Sequence, residues 1–343
     1  MRQLLNTLFV TSEDAYLTLD GENIVVKRGE TEAARFPLHN LTSIFSFSYA
    51  GASPALMGKC VDSDIDIVFC TPRGKFLARA SGTVNGNVLL RRQQYRMADD
   101  LAISCSIARY MIYGKVFNAR WNLERTKRDH GNRIDEGAVS ETSDSIKKLL
   151  PQIRNCTDMD ILRGLEGASA TLYFGRFDDM ILQGKPEFSF ETRSRRPPLD
   201  RVNAMLSFAY SLLANDCASA LESVGLDPYV GFMHRDRPGR NSLALDLMEE
   251  LRPSLADRFV ITLINNREMK PSDFEIEESK AVRMTNDGRK KFLTSWQEKK
   301  QETITHPYLE EKIPWGLVPY VQSLLLSRHI RGDLEAYPPF LWK

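Results

Sequence analysis

The spacing of apolar positions changes once along the chain. As far as Ala80, short apolar runs alternate with turn residues. Tyr16-Leu17-Thr18-Leu19 and Ile24-Val25-Val26 flank Asp20-Gly21, where glycine supplies the positive φ of a tight turn, so a hairpin is predicted. Ile65–Cys70 and Lys75–Ala78 flank Thr71-Pro72-Arg73-Gly74 as a second strand pair. Between the pairs, Ser53-Pro54-Ala55-Leu56-Met57-Gly58 fits a short helix, with serine as cap and proline in the first turn. Gly82, Asn85, Gly86 and Asn87 make a turn-rich link. From Leu89 onward the apolar spacing is three and four, the helical period. Helices are predicted near 88–111, 115–128, 142–155, 158–180, 199–224, 242–255 and 316–331, with breakers at Pro197-Pro198, Pro228 and Pro238-Gly239. The fold class is α+β: a small N-terminal β-strand-rich domain (1–82), a link with the start of the first long helix (83–98), and a larger all-α domain (99–343).

Composition narrows the function classes. The 343 residues are 42% hydrophobic and 27% charged, enough to bury a core. Forty-six Lys and Arg against forty-five Asp and Glu give +1, so any contact with nucleic acid must come from local basic patches. No run of about 18 apolar residues suggests a membrane span, and Met1–Asn6 lacks the apolar segment of a signal peptide. The five cysteines (Cys60, Cys70, Cys105, Cys156, Cys217) form no Cys-x-x-Cys. They read as reduced thiols of a cytoplasmic protein.

Three segments could carry chemistry. In the first, His234 precedes a loop turned by Pro238-Gly239, and Asn241 or Ser242 can cap the helix that follows. Leu243, Ala244, Leu247, Met248 and Leu251 share one face of that helix, while Asp246, Glu249 and Glu250 lie on the other. Asp246 and Glu249, three residues apart, are neighbours. An imidazole and carboxylates brought together across a short loop suit Mg2+ or Mn2+. The same pattern describes a solvated acidic face beside a surface histidine, and spacing leaves both open. In the second segment, Ile161, Leu165, Ala168 and Leu172 form an apolar stripe, and Glu166, Ala170 and Tyr173 share another face. Gly and Ala around Glu166 leave room for a metal or phosphate, or equally for a tight helix crossing. In the third, Leu199–Leu213 is apolar almost all round, a buried helix. Its polar stripe, Asn203, Ser207 and Tyr210, is either a structural network or the wall of an active site.

Leu165-Glu166-Gly167, Asn203 through Tyr210, and His234 followed by Leu243–Pro253 together resemble the CRISPR-associated integrase family (Cas-one) in order and spacing. So does the layout of a strand-rich domain before a helical one. The resemblance implies that Glu166, His234 and Glu249 are catalytic and bind a divalent ion, Mg2+ or Mn2+. Asp246 would be a supporting or alternative ligand. Asn203, Tyr173 and Tyr210 would be the active-site wall. It implies an endonuclease and integrase of CRISPR adaptation, which inserts short foreign DNA fragments into the repeat array by transesterification from 3′-hydroxyl ends. A non-catalytic DNA-binding scaffold of an adaptation or repair complex is the alternative; an intact Glu166/His234/Glu249 set weighs against it. The implied partners are double-stranded DNA, a second copy of the chain, and a small CRISPR-associated protein (Cas-two) that bridges two dimers into a heterohexamer, with a fragment-trimming nuclease as a further partner and no membrane.

Phosphate contacts are expected from Arg91 and Arg92, from Arg193, Arg195, Arg196 and Arg201, and above all from Arg235, Arg237 and Arg240 beside His234. The charged stretch Arg289–Lys300 reads as plain surface. His39, His130, His306 and His329 lack a carboxylate at useful spacing. Phe45, Phe47, Tyr49 and the Ile65–Phe69 strand offer more apolar surface than one thin sheet hides, which points to a homodimer through the β domain. Tyr173 and Tyr210 also admit a tyrosine-recombinase reading, with an enzyme nucleophile.

Overall fold

The structure is a computed structural model and describes residues 6–10, 12–71, 76–80 and 88–343. It divides into two compact units. The first takes residues 1–85 together with 272–275 and 283–301; the second takes 86–271, 276–282 and 302–343. The class is α+β.

In the first unit, β2 (Ala15–Asp20), β3 (Asn23–Arg28) and β4 (Thr31–Pro37) form an antiparallel sheet. Asp20 pairs with Asn23 across Gly21-Glu22, and Gly21 has φ +58°, the predicted hairpin. A four-stranded sheet has the order β1 (Asn6–Val10), β5 (Leu41–Ser46), β6 (Asp66–Cys70), β7 (Phe76–Ala80). Its β6–β7 pair is the second predicted pair; four turn positions, 72–75, and the link at 82–87 lie outside the described residues. Helix α1 (Pro54–Asp62) starts as predicted: Ser53 Oγ accepts from Leu56 N at 3.2 Å. Leu17, Ile24, Ile44, Leu56, Cys60 and Ile67 form the core between these elements. Phe45, Phe47, Ile65, Ile67 and Val68 are buried within the chain itself, and only Tyr49, 71% exposed, fits the surface argument made for a dimer. They are buried without a second copy of the chain, so that argument does not stand.

In the second unit, α2 (Val88–Asp99) and α3 (Leu101–His130) replace the two helices predicted over 88–128, with the break in a different place. Asp100 Oδ1 accepts from Ala102 N and Ile103 N at 2.9 and 3.0 Å, capping a new helix where a continuous one was expected. The expected break at 112–114 does not occur. Gly114 lies inside the 30-residue α3 because a Cβ there would stand 2.9 Å from Glu250 Cβ. Then follow α4 (Glu136–Arg154), α5 (Met159–Phe174), α6 (Arg201–Ser223), α7 (Ser242–Glu249) and α8 (Arg258–Asn265). Helix α3 packs on α4 and α5, and α6 packs on α7 and α10 (Val318–Arg331).

The predicted helix 242–255 ends at Glu249. A wide π-helical turn over Arg252–Asp257 leads into α8, which was not predicted. Pro253 has no N–H to continue the α-helical ladder, and its carbonyl accepts from Asn122 Nδ2 at 2.8 Å. Helix α9 (Asn286–Gln301) was also missed, its stretch having been read as surface. Phe292, Leu293 and Trp296 are buried, as are Arg289 and Lys300, and Asn286 Nδ2 donates to Glu13 Oε1 at 3.0 Å within the first unit. On α5 the buried face carries Leu162, Ser169 and Tyr173, while Ile161 of the predicted stripe is exposed. Cys60, Cys105, Cys156 and Cys217 are buried and outside any disulfide. Among the described residues no helix is long and apolar enough to cross a membrane.

Candidate active site

The loop before α7 is folded around one carboxylate. Asp246 accepts from Phe232 N (2.6 Å), Met233 N (3.0 Å) and His234 N (3.0 Å), and its Oδ1 lies 2.5 Å from His234 Nδ1. A carboxylate partner places the ring proton on Nδ1 and leaves the Nε2 lone pair for a ligand. A Cβ on Gly231 would stand 2.8 Å from Asp246 Oδ2, so only glycine lets the chain wrap this closely. Arg163 Nη2 of α5 donates to Met233 O at 2.9 Å, tying the loop to the helix that carries Glu166. Asn241 stands at the cap position without a side-chain bond; Ser242 Oγ instead donates to Arg235 O at 3.2 Å.

Asp246, Glu249 and Glu250 are all buried, which removes the reading of a solvated acidic face. Glu249 lies at the end of α7, and its Oε1 is 2.8 Å from Arg252 Nη1. Its Oε2 is 2.7 Å from Lys115 Nζ of α3. The same ammonium donates to Glu166 Oε1 of α5. Burial alone pushes the Glu249 carboxyl up; the charges of Arg252, Lys115 and His234 more than reverse this and hold it at about 2. Glu250 turns to the opposite side, toward Gln322 and Tyr337.

Lys115, Glu166, Ala170, Tyr173, Arg195, Tyr210, Arg252 and Asp257 line a small cleft. The predicted Glu166/Ala170/Tyr173 face is therefore this wall. A Cβ at Gly164 or Gly167 would meet nothing within 4 Å, so no tight helix crossing occurs at either glycine. Tyr210 OH donates to Asp257 Oδ1 at 2.6 Å and Tyr173 OH to Oδ2 at 3.1 Å. Burial raises both phenols well above their ordinary range and lifts Asp257 to about 6. Both hydroxyls are thus held as neutral donors, the opposite of what a tyrosine nucleophile needs.

Asn203 does not line the cleft. It is fully buried: Nδ2 donates to Thr192 O at 2.8 Å, and Oδ1 accepts from Ser194 N at 3.0 Å and Arg193 Nη1 at 2.6 Å. With Ser207 it holds Arg193 over the Tyr210 ring at 5.2 Å, so the α6 stripe is in part a structural network. Arg193 is thereby taken out of the set of phosphate contacts. Arg91 Nε donates to Gly225 O at 3.1 Å, closing the C-terminus of α6 region rather than facing solvent alone, while Arg92 is exposed. Arg235 and Arg237 are exposed and Arg240 half-buried beside His234.

Among the described residues, no three His, Cys, Asp or Glu side chains are grouped closely enough to hold a metal ion as they stand. The donor set nonetheless fits a divalent ion. Two carboxylates from separate helices meet on one cation, and the loop before α7 holds an imidazole whose Nδ1 is taken by Asp246, leaving Nε2 for a ligand. Sequence reading missed Lys115, Arg252 and Asp257. Lys115 was hidden by the helix break assumed at Gly114. Its signal was a lone cation among the apolar positions Ile112, Val116 and Ala119.

Because Asp246 is the hub of this loop, Asp246→Asn should cost about 1–3 kcal/mol of stability through a lost acceptor. Any activity that uses His234 should fall about 10–100-fold through a misaligned ring. Thermal melts and an activity assay on the same preparation check both. Unchanged activity would show that the imidazole needs no such support.

The sequence matches the family described as CRISPR associated protein Cas1 over residues 8–298. It is 49% identical to CRISPR-associated endonuclease Cas1 2 of Rhodospirillum rubrum and 46% identical to CRISPR-associated endonuclease Cas1 1 of Chlorobaculum tepidum, each covering 100% of both chains. It is 34% identical to a CRISPR-associated exonuclease Cas4/endonuclease Cas1 fusion of Geobacter sulfurreducens, covering 97% of this chain and 60% of that one. Its fold matches a casposase bound to integration product, with a TM-score of 0.85 at 22% identity over 99% of this chain and 95% of that one. It also matches a chain of a Cas6-RT-Cas1–Cas2 complex, with a TM-score of 0.82 at 21% identity over 100% of this chain and 36% of that one. The chain belongs to the CRISPR associated protein Cas1 family.

Proposed function

We propose that the chain is a divalent-metal-dependent DNA endonuclease and integrase that joins the 3′-hydroxyl ends of short DNA fragments to a CRISPR repeat. The observation that carries this is the meeting of Glu166 and Glu249 on one cation; a histidine locked by Asp246, on the loop before α7, supplies the third donor of the proposed set. Glu166, Glu249 and His234 Nε2 would hold Mg2+ or Mn2+. When bound, the ion offsets charge on the phosphoryl oxygens and polarises the attacking or leaving oxygen.

The chain's own residues prepare the rest. Arg252 holds the second oxygen of Glu249 and is itself fixed over the Tyr210 ring at 5.0 Å. Lys115 and Arg195 bring positive charge into the cleft where a phosphate would lie. No enzyme nucleophile is needed. The fragment's 3′-oxygen forms a new ester at a repeat phosphorus as an existing P–O bond breaks, and the proton passes from the attacking to the leaving oxygen. Arg235, Arg237 and Arg240 contact phosphates without reading sequence.

Double-stranded DNA is the proposed substrate, and the working assembly is a homodimer bridged in pairs by Cas2 into a heterohexamer. The name of the Cas6-RT-Cas1–Cas2 complex supports the bridging protein. That of the Cas4/Cas1 fusion supports a fragment-trimming nuclease as a further partner. Reactions take place in the cytoplasm, where the array is.

The test is integration into a supercoiled repeat-bearing plasmid, with and without Cas2, in Mg2+, Mn2+ or chelator. Chelator should abolish joining and leave most DNA binding intact. Replacing Arg235, Arg237 or Arg240 by Gln should lower the slope of log affinity against log salt by about 0.9 each. Joining that persists in chelator would overturn the metal reading; an unchanged salt slope would remove these arginines from the DNA surface.

A further inference from the structure

We infer that Lys115 is a built-in competitor for the metal: in the metal-free protein its ammonium is the shared counter-cation of Glu166 and Glu249, and a divalent ion binds only by displacing it. This rests on the metal reading proposed above and adds to it a residue that sets the affinity.

Nζ of Lys115 donates to Glu166 Oε1 and lies 2.7 Å from Glu249 Oε2. The pair is well shielded: the Lys115 side chain is 13% exposed and that of Glu249 5%. Two carboxylates this close to one point repel each other unless a cation stands between them, and burial strengthens the repulsion. Arg252 cannot take that role. It holds the other oxygen of Glu249 and is pinned over the Tyr210 ring.

Lys115 differs from Arg252 in how it is held. A lysine is a compact charge on a flexible four-carbon stem, so its head can leave while its backbone stays. The backbone is fixed by Gly114, whose close approach to Glu250 sets the height of α3. The stem lies in the cleft also lined by Arg195 and Tyr210, so a displaced ammonium remains beside the position proposed for the phosphate. The observed metal affinity is then the intrinsic affinity of Glu166, Glu249 and His234 reduced by the cost of breaking both ion pairs.

The experiment is titration calorimetry of the full-length protein with Mn2+, together with melting temperatures in chelator. Wild type, Lys115→Met, Lys115→Arg and Glu249→Gln are compared. Lys115→Met should bind Mn2+ about tenfold more tightly than wild type or better, because nothing competes. Its metal-free melting temperature should be lower, and Mn2+ should raise it by more than it raises that of wild type. Lys115→Arg keeps the charge and can fork onto both carboxylates, so it should bind Mn2+ more weakly than wild type. Equal or weaker binding by a folded Lys115→Met overturns the inference. If that variant does not fold, Lys115→Arg decides alone, and binding as tight as wild type overturns it. If wild type shows no Mn2+ binding that Glu249→Gln removes, the metal reading itself fails, and this inference with it.

Discussion

Glu249→Gln should remove strand joining by about 10^3-fold, with Glu166→Gln and His234→Ala close behind it. The site offers few donors, and losing one leaves several kcal/mol of transition-state charge without an opposite charge, each 1.36 kcal/mol being about tenfold in rate. Glutamine is the right replacement at 249. Alanine would leave the buried Arg252 and Lys115 facing an apolar gap, a loss of about 3–5 kcal/mol that would confound activity with folding. The measurement is plasmid integration beside a thermal melt. Full activity in a folded Glu249→Gln protein would remove Glu249 from the ligand set. Asp246 could not replace it, because its oxygens are already taken by three backbone N–H groups and His234.

Glu250→Ala, just past the end of α7, should destabilise the fold as much as any change to the acids of that segment. On the helical wheel Glu250 stands about 100° from Glu249, so its side chain leaves the site for other partners. Glu250 Oε1 accepts from Gln322 Nε2 at 2.8 Å and from the Tyr337 hydroxyl, and Oε2 accepts from Phe340 N at 2.9 Å. Alanine strands three buried donors and frees the C-terminal segment, costing about 3–5 kcal/mol. Urea unfolding and proteolysis of the C-terminal segment read this out. A loss under about 1 kcal/mol would mean that water replaces the carboxylate.

The same residue carries a pH signature. Burial raises its carboxyl to about 7 against an ordinary 4.5, the hydrogen bonds from Tyr337, Gln322 and Phe340 working the other way. The folded state therefore holds the proton more tightly than the unfolded chain. The contribution to stability is complete below about 4.5 and is lost as pH rises toward 7. Asp257, raised to about 6 by burial, adds to the decline in the same direction. Glu249, held at about 2, acts oppositely and only in acid: its contribution is full above its ordinary 4.5 and lost as pH falls toward 2.

Much was legible from the chain alone, for local reasons. The change of apolar period from two to nearly four near residue 82 separates strands from helices because pleat and helix turn present their faces at those spacings. Ser53-Pro54 and Asp20-Gly21 mark a helix start and a turn because cap and φ are set within a few residues. The blocks around Glu166, Tyr210, His234 and Glu249 mark the family because their order and spacing lie along the chain. The tertiary structure alone decided which side chains those elements bring together. Asp100 could start a helix that periodicity ran through, and Gly114 could remain inside one, because each is set by a cap or a contact that no apolar pattern encodes. Asp246, Glu249 and Glu250 have one wheel and three unrelated partners: a loop, two cations and the C-terminal segment. Lys115 reaches Glu166 and Glu249 only because α3, α5 and α7 converge, and burial there turns an ordinary lysine into the counter-charge of the site.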